Sequence, residues 1–367
     1  MSFITAIATA NPPHKLSQEA IAAFMLRSMQ VSAEDARKLA AVFRMSGIET
    51  RYSMLEDYGR SENFTFYSNT STLSPFPSTK KRNEAFQLYA PLLSTEAASK
   101  ALRQSALLAK DITHVITVSC TGMYAPGLDI DLVDSLQLPL SVQRTNINFM
   151  GCYAAFNALK AADAFCKTGE HVKVLIVCTE LCSLHFQKEN TEDNLLANAL
   201  FADGSAAVIV EATTHSANRL HISTYYSELA RQGNKDMAWS IGDVGFEMKL
   251  SSYVPDVIRS GIKELTATLL KKLNLSLAEI QHMAIHPGGR KILEAIEQEL
   301  GLQKTQNEWA YYVLKNYGNM SSPTVLFVLK EIFDRLGKKN DKESILSFAF
   351  GPGLTLESMV FTYQYHG

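Results

Sequence analysis

Residues 151–180 read GCYAAFNALKAADAFCKTGEHVKVLIVCTE, and this stretch decides the fold class. Its first part, from Gly151 to about Gly169, is rich in alanine almost all round, which predicts a helix packed on every side. Its second part, residues 174–180, is a short apolar run that predicts a buried strand. A buried helix followed directly by a buried strand indicates an α/β architecture.

A similar unit follows later in the chain. Each unit has a strand, a helix and two further strands. In the first unit these elements are expected at 113–119, 151–169, 174–180 and 205–211. In the second unit they are expected at 280–286, 318–337, 345–351 and 354–361. The interval from Ser119 to Cys152 has the same length as the interval from His286 to Asn319. This repeat predicts two similar halves that place Cys152 and Asn319 at equivalent helix N-termini, with His286 at the end of a strand.

The division of the chain follows from the repeat. We expect an N-terminal half at residues 1–215, which carries the cysteine, and a C-terminal half at 216–367, which carries the histidine and the asparagine.

The composition is that of an ordinary globular protein. The chain of 367 residues is 46% apolar and 20% charged, with a net charge of −2 and no long run of Lys or Arg. This balance argues against nucleic acid as the main partner. No apolar stretch approaches the length of a membrane span. The five cysteines are odd in number and form no C-x-x-C pair, which predicts a cytoplasmic protein with free thiols.

Cys152, His286 and Asn319 are the residues that could carry chemistry. Gly151 allows a tight turn that delivers the Cys152 thiol to a helix start, where the N–H groups and the macrodipole should lower its pKa. His286 precedes Pro-Gly-Gly at the end of a strand, where α/β proteins bind ligands. Taken singly, Cys152 could be a small buried apolar residue and Asn319 only a helix N-cap. Their joint placement favours a catalytic set.

Five motifs, in the same order, resemble the chalcone synthase or type III polyketide synthase family. They are FMGCYAA (149–155), LFADGSAAVIV (200–210), IHPGG (285–289), YGNMSSPT (317–324) and FGPGLTLE (350–357). The resemblance extends to GIETRY (47–52) and PFPSTKKRNE (75–84). It implies a thiolase-like α/β fold in which two similar halves form a five-layered αβαβα core, and it implies a homodimer.

The resemblance also implies roles for the three residues. Cys152 would take an acyl starter from CoA as a thioester, and His286 would hold it as the thiolate. His286 and Asn319 would hydrogen-bond the thioester oxygen of malonyl-CoA, because loss of CO₂ creates an enolate that needs donors in place. Repeated condensation and cyclisation would give a pyrone or a resorcinol-type product. CoA thioesters are the substrates, and no metal, flavin or nicotinamide cofactor is required.

Other positions would line the reaction chamber, and several depart from the pattern of the plant enzymes. Phe201 matches an aromatic residue at the chamber entrance. Met248 stands where a second Phe is usual, and Trp239 where plant chalcone synthases carry a small residue. His185 and Cys120 replace threonines of the plant cavity. The string WSIGDVGFEM, which contains Trp239 and Met248, resembles bacterial members that make alkylpyrones or alkylresorcinols, and it predicts a starter with an alkyl chain.

The same resemblance indicates the rest of the substrate path. Phe350, Gly351 and Pro352 of the FGPG loop would shape the site through their backbone. The phosphates of CoA need cations at the mouth of the tunnel. The candidates lie on a helix that we expect after Ser32: Arg37, Lys38 and Arg44.

Three other interpretations stay open. An initiating β-ketoacyl-ACP synthase shares the Cys-His-Asn set and the fold, although HPGG and FGPG favour the type III enzymes. A papain-type hydrolase also uses cysteine, histidine and asparagine, but the surroundings of Cys152 differ from that family's. A non-catalytic acyl-CoA-binding or scaffold protein would not need all three reactive residues.

Overall fold

The computed structural model describes residues 1–230, 237–251 and 254–366. Its strands are β1 (Phe3–Ala10), β2 (His14–Ser17), β3 (Thr50–Ser53), β4 (His114–Ser119), β5 (Gln143–Asn148), β6 (Lys173–Leu181), β7 (Asp203–Glu211), β8 (Asn218–Leu229), β9 (Met237–Gly242), β10 (Gly245–Leu250), β11 (His282–Ile285), β12 (Ser344–Gly351) and β13 (Thr355–Tyr365). Its helices are α1 (Gln18–Met29), α2 (Ala33–Met45), α3 (Thr79–Ser105), α4 (Leu128–Leu136), α5 (Ala154–Cys166), α6 (Glu192–Leu200), α7 (Val254–Lys271), α8 (Arg290–Leu300), α9 (Glu308–Tyr317) and α10 (Thr324–Phe333).

The main sheet has nine strands in the order β11-β12-β13-β8-β1-β7-β6-β4-β5. Within it the order β4-β6-β7-β1 repeats as β11-β12-β13-β8, and in each set the first pair is parallel and the next two pairs are antiparallel. The two sets meet where β1 pairs with β8. The strand order therefore contains the internal repeat that the sequence predicts. The boundary expected at residues 215 and 216 lies in the link between β7 and β8 and stays a prediction.

Successive residues of β6 show how helices cover both faces of the sheet. Val174 and Ile176 belong to the core that contains α5 and α10, whereas Leu175 and Val177 belong to the core that contains α3. Alternate side chains of a strand point to opposite faces, so a strand covered on both faces is apolar throughout. This explains why the sequence at 174–178 is a continuous apolar run.

The helices form three layers around the two halves of the sheet. α5 contacts β4, β6 and β7 of the first half and β13 of the second, and α10 contacts β11 together with β1 and β7. α3 packs on β1, β6 and β7 from the other side, and α7 packs on β8 and β13. The predicted five-layered αβαβα, thiolase-like fold is confirmed.

The first two helices are capped by serine side chains, and the second begins after Ser32 as the sequence predicts. The Ser17 hydroxyl oxygen accepts a hydrogen bond from the Ala20 N–H, and the Ser32 oxygen accepts one from the Asp35 N–H. A side-chain cap of this kind stabilises a helix by about 1 kcal/mol. Within the described residues, no helix has the length and apolar content needed to cross a membrane.

The second helix of the repeat starts later than predicted. It begins at Thr324, and Asn319 lies in the loop before it. The Asn319 N–H donates to the Leu200 carbonyl oxygen at 2.9 Å, and its own carbonyl oxygen accepts from the Ala202 N–H at 2.8 Å. These bonds pair the Asn319 backbone with residues 200–202 of the same chain. Pro323 takes the N-cap position of the helix. The prediction that this asparagine stands at a helix N-terminus is therefore wrong.

Candidate active site

Cys152, His286 and Asn319 line one buried cavity, which we name the inner cavity. Cys152 stands in the short turn before α5, His286 follows β11, and Asn319 lies in the loop before α10. Their exposed fractions are 7%, 1% and 2%. The fold thus brings the three residues singled out by the sequence into a single enclosed space.

The turn that carries Cys152 fits closely against the FGPG loop. Gly151 has a φ of +77°, and a Cβ there would lie 2.3 Å from Cδ of Pro352, so only glycine fits. A Cβ on Gly351 would lie 2.6 Å from the Tyr153 ring and 3.3 Å from the Cys152 nitrogen. Pro352 also lines the inner cavity, as does the neighbouring phenylalanine at position 350. The loop therefore positions the thiol through backbone contact.

Burial decides the protonation of Cys152. It raises the pKa of the thiol to about 12, and hydrogen bonds to the side chains of Ser321 and Asn319 oppose this only in part. The sequence predicts the opposite direction, from the field of a helix N-terminus. The structure corrects this expectation, because the sulfur is buried and desolvation is the largest influence on its pKa.

His286 is buried with both ring nitrogens unpaired among the described residues. Its backbone N–H donates to the Phe348 carbonyl oxygen at 2.8 Å, which fixes the residue at the end of β11. Burial lowers the pKa of the ring to about 3, so the imidazole is neutral at rest. Leaving a polar atom buried and unpaired costs about 1–3 kcal/mol. A ring kept in this state inside a cavity is available to a bound molecule.

The Asn319 amide is held by its own loop. Its Oδ1 accepts a hydrogen bond from the Ser321 N–H at 2.8 Å, and its Nδ2 donates to the Gly288 carbonyl oxygen at 3.2 Å. An amide nitrogen has two hydrogens. The second one is available to a ligand in the inner cavity.

A buried carboxylate contacts two residues of the inner cavity wall, Cys120 and Thr121, and sequence reasoning missed it. Glu180, near the end of β6, accepts hydrogen bonds at Oε2 from the Cys120 N–H at 3.0 Å and the Thr121 hydroxyl at 2.8 Å. Its Oε1 accepts from the Ser322 hydroxyl at 2.6 Å and the Cys120 thiol at 3.1 Å. Burial raises the pKa of Glu180. The sequence does contain a signal for this residue, because Glu180 is an acidic residue at the end of a mostly apolar strand.

A second cavity adjoins the inner one. Four residues line both cavities and so form the partition between them: Phe201, Trp239, Met248 and Cys182. Of the other predicted cavity residues, Cys120 lines the inner cavity and His185 lines the second. Apolar side chains of α1, Ile21 and Met25, contribute to the far wall.

The β9–β10 hairpin carries Trp239 and is fixed by an unusual set of contacts. His185 Nε2 donates to the Thr121 carbonyl oxygen at 2.7 Å, and its Nδ1 accepts the Phe246 N–H at 2.9 Å. The His185 and Phe246 rings stack at 4.3 Å with an interplanar angle of 7°. Trp239 Nε1 donates to the Cys120 carbonyl oxygen at 2.6 Å. Burial lowers the pKa of His185 to about 3, so the neutral ring acts as a fixed link.

Phe201 is fixed through its backbone. Arg51, from the GIETRY motif, donates from Nη1 to the carbonyl oxygens of Asn198 at 2.9 Å and Phe201 at 2.5 Å. Phe201 also forms an isolated parallel β-bridge with Asn319. The backbone of Phe201, a partition residue, is therefore held by Arg51 and is paired directly with the backbone of Asn319.

An outer cavity also adjoins the inner one. Leu250, Gly288 and Ile292 line both, and the exposed cations Arg290 and Lys291 line the outer cavity. Sequence reasoning missed these two cations, although they directly follow HPGG.

The cations predicted on α2 lie elsewhere. From α2, the outer cavity is lined by Val42 and Met45, and Arg37, Lys38 and Arg44 are not among its described lining residues. The Lys38 Nζ lies 2.9 Å from the Glu34 carboxylate. Their role in binding CoA stays a prediction.

Metal-ligating side chains are not clustered in the part of the chain that the structure describes. Nowhere in it do three His, Cys, Asp or Glu side chains come together in a group that could hold a metal ion.

The chain matches two family models. The model described as chalcone and stilbene synthases, N-terminal domain, matches residues 1–214, and the model described as chalcone and stilbene synthases, C-terminal domain, matches residues 221–363.

Individual relatives are similar over nearly the whole chain. A probable polyketide synthase 1 of Dictyostelium discoideum is 33% identical over 97% of this chain, which spans 11% of that protein. An alpha-pyrone synthesis polyketide synthase-like Pks18 of Mycobacterium tuberculosis is 28% identical over 98% of this chain and 91% of its own length. A crystal structure of the C-terminal type III polyketide synthase domain of Steely1, from Dictyostelium, has a TM-score of 0.91 at 30% identity and covers 98% of this chain and 99% of its own.

Proposed function

Because this chain belongs to the chalcone and stilbene synthase family, we propose that it is a type III polyketide synthase. It loads an acyl-CoA starter on Cys152, extends it with malonyl-CoA, and cyclises the product to a pyrone or a resorcinol-type ring. The observation that carries the proposal is the inner cavity, where a thiol, an imidazole with two unpaired nitrogens and a carboxamide line one enclosed space.

Loading begins from a neutral pair. As the Cys152 sulfur attacks the thioester carbonyl carbon of acyl-CoA, its proton passes to a ring nitrogen of His286. The C–S bond to CoA then breaks, and the CoA sulfur leaves with that proton. The acyl group stays on Cys152, and His286 returns to the neutral form that burial favours.

Extension uses the same imidazole as a donor. The thioester oxygen of malonyl-CoA accepts hydrogen bonds from the ring N–H of His286 and from Nδ2 of Asn319. Loss of CO₂ places negative charge on that oxygen, and donors that are already oriented stabilise it. The enolate carbon then attacks the carbonyl carbon of the acyl group on Cys152, and the C–S bond to Cys152 breaks. The chain, now two carbons longer, is left as a thioester of the CoA that carried the malonyl unit, and the Cys152 sulfur is free to be loaded again. These steps need CoA thioesters and no further cofactor.

The second cavity supports an alkyl starter. Ile21 and Met25 form part of its wall, and the partition residues Trp239 and Met248 lie between it and the inner cavity. An alkyl tail gains about 0.8 kcal/mol for each methylene that it buries. A screen of alkyl and aromatic acyl-CoA esters tests this, and acceptance of aromatic esters alone would reject the alkyl starter.

The outer cavity is where the CoA phosphates bind in this proposal. Arg290 and Lys291 line it, and both are exposed to incoming ligands. The predicted cations of α2 form the second candidate set. Replacing Arg290 and Lys291 by Gln should raise KM for both CoA esters while kcat changes little. A larger rise in KM on replacing Arg37 and Arg44 would favour α2 instead.

The enzyme works as a cytoplasmic homodimer in this proposal. All five cysteines are free and buried, which suits a reducing compartment. β5 is the last strand of the main sheet, and four of its six residues are exposed: Gln143, Arg144, Asn146 and Asn148. A strand edge of this kind can be covered by the same strand of a second copy.

The deciding experiment is turnover with acyl-CoA and malonyl-CoA in the absence of any acyl carrier protein. We expect polyketide products from the wild type and none from Cys152→Ala. An initiating β-ketoacyl-ACP synthase would need the carrier protein, and a scaffold protein would release no product with or without it. Either result would overturn the proposal.

A further inference from the structure

We propose that the starter carries a carboxylate at the far end of its alkyl chain, and that the buried guanidinium of Arg51 binds this carboxylate in the second cavity. The inference rests on the proposed function, because the starter must be held on Cys152. Arg51 lines the second cavity and is 4% exposed. Two of its three side-chain nitrogens, Nε and Nη2, have no hydrogen-bond partner among the described residues.

The two unpaired nitrogens belong to the same side of the guanidinium group. The N–H bonds of Nε and Nη2 form a fork whose spacing matches the two oxygens of a carboxylate. The third nitrogen, Nη1, is already occupied, because it donates to the carbonyl oxygens of Asn198 at 2.9 Å and Phe201 at 2.5 Å. These backbone contacts fix the orientation of the guanidinium and leave its fork to a ligand.

The charge of Arg51 lacks a hydrogen-bonded counter-ion. Burial lowers the pKa of the guanidinium to about 10, so the group stays positive near neutral pH. Asp203 attracts it, but the oxygens of Asp203 accept hydrogen bonds from the backbone and hydroxyl of Ser183 and from the Met54 N–H instead. A buried charge is stable when it is paired and hydrogen-bonded. A carboxylate ligand would supply that pair.

The wall of the second cavity suits a chain with an apolar body and a polar end. Ile21 and Met25 offer apolar contacts to methylenes, whereas the serines at positions 53 and 183 line the cavity together with Arg51. Arg51 also bonds the carbonyl oxygen of Phe201, a partition residue, so its guanidinium lies beside the partition. A chain that starts at Cys152 and passes the partition therefore reaches Arg51 with its far end.

Arg82 offers a matched control. It is a second buried arginine, with an exposed fraction of 0% and an Nη2 that is likewise unpaired among the described residues. Its Nε donates to the Pro77 carbonyl oxygen at 2.9 Å, and its Nη1 donates to the carbonyl oxygens of Leu184 and Phe186. Arg82 is not among the described residues that line the second cavity. Replacing it removes a buried guanidinium and leaves the proposed carboxylate site in place.

The test measures how fast Cys152 is acylated without malonyl-CoA. Intact-protein mass is followed at limiting concentrations of the mono-CoA esters of hexanedioic, octanedioic and dodecanedioic acid, each beside the same ester with its free carboxylate methylated. At one chain length, we expect the wild type to be acylated about tenfold or more faster by the carboxylate than by its methyl ester. This ratio should fall to one or below in Arg51→Gln and stay at the wild-type value in Arg82→Gln.

Arg51→Lys keeps the charge and loses the fork, so its ratio should lie between those of the wild type and Arg51→Gln. Because each ratio compares two esters on the same protein, a loss of folded enzyme does not change it.

Contrary results separate the inference from the proposed function. A wild-type ratio near one at every chain length would overturn the carboxylate site and leave the proposed function intact, since the methyl esters still acylate Cys152. A wild-type ratio in both Arg51 variants, or an equal loss in Arg82→Gln, would overturn the role of Arg51. Failure of every ester to acylate Cys152 would instead contradict the proposed function.

Discussion

At the scale of single residues, burial sets the resting state of the Cys152 and His286 pair. It raises the pKa of the thiol to about 12 and lowers the pKa of the imidazole to about 3. Both shifts favour the uncharged forms near neutral pH. The forms that burial favours in the free enzyme are therefore a thiol and a neutral imidazole, and not the thiolate that the family resemblance implies.

This resting state predicts how alkylation of Cys152 depends on pH. Below its pKa, the thiolate fraction of a thiol rises about tenfold for each pH unit. We therefore expect the rate at which iodoacetamide inactivates the free enzyme to rise steeply from pH 7 to pH 9. Peptide mapping confirms that Cys152 is the alkylated residue. A rate that is already constant above about pH 6 would show a stable thiolate–imidazolium pair and contradict the account.

The fit of Gly351 against the Cys152 turn gives a second prediction. A Cβ at this position would lie 2.6 Å from the Tyr153 ring and 3.3 Å from the Cys152 nitrogen. Overpacking of this kind costs about 1–3 kcal/mol. Gly351→Ala should lower the free energy of unfolding by that amount in urea and slow acylation of Cys152. Gly337→Ala is the control, since no atom lies within 4 Å of the Cβ that it would add. Equal effects of both changes would show that the contact of Gly351 with the Cys152 turn does not matter.

Residues were predictable where a local motif marked them. Cys152 follows Gly151, and His286 precedes Pro-Gly-Gly. Both positions lie at element boundaries, so the sequence alone indicates their placement. Glu180 and Ser321 were missed because their roles arise from contacts between distant parts of the chain. The direction of the Cys152 pKa was predicted wrongly, because sequence shows the helix start and does not show how completely the sulfur is enclosed.

At the scale of elements, the β9–β10 hairpin separates the inner and second cavities. Trp239 projects from it into the partition and is anchored to the Cys120 carbonyl oxygen. His185 holds the hairpin at Phe246 by a hydrogen bond and a stacked ring. The size of the space open to the starter therefore depends on a hairpin from one half of the sequence and a histidine from the other.

Trp239→Ala should join the two cavities. We expect the ratio of kcat/KM for a long alkyl starter to that for a short one to rise about tenfold or more, since each methylene that gains a pocket contributes about 0.8 kcal/mol. Trp239→Phe is the control, because it keeps a ring in the partition and loses only the indole N–H. An unchanged ratio in Trp239→Ala would show that this residue does not limit chain length.

Element types were more predictable than element starts. The strands at 113–119 and 174–180 were predicted from apolar runs and are present. The start of α10 was misplaced because the Asn319 backbone bonds to residues 200–202, a tertiary contact with no trace in the local sequence.

At the scale of the whole molecule, the repeat of the two halves explains why the candidate catalytic residues lie between them. α5 and α10 lie between the two halves of the sheet, and Cys152 and Asn319 precede these two helices. The two similar halves could be predicted because the repeat is visible in the sequence, and the five-layered fold was implied by the resemblance to the family. The three cavities could not, since their walls combine side chains from distant segments.

The exposed edge of β5 predicts the oligomeric state. Light scattering after gel filtration should give twice the chain mass of 40.6 kDa, because a second copy can cover the unpaired side of this strand. Amide exchange within residues 143–148 should be slow in the same sample. A mass of one chain at every concentration would contradict the homodimer.

The central claim is that Cys152 carries the acyl chain while His286 and Asn319 stabilise the enolate. Release of labelled CO₂ from malonyl-CoA, measured beside chain extension, separates these duties most directly. We predict that Cys152→Ala releases CO₂ without extending any chain, and that His286→Ala and Asn319→Ala each release it about 10²–10³-fold more slowly than wild type. Wild-type release from both of the latter variants, or chain extension by Cys152→Ala, would contradict the account.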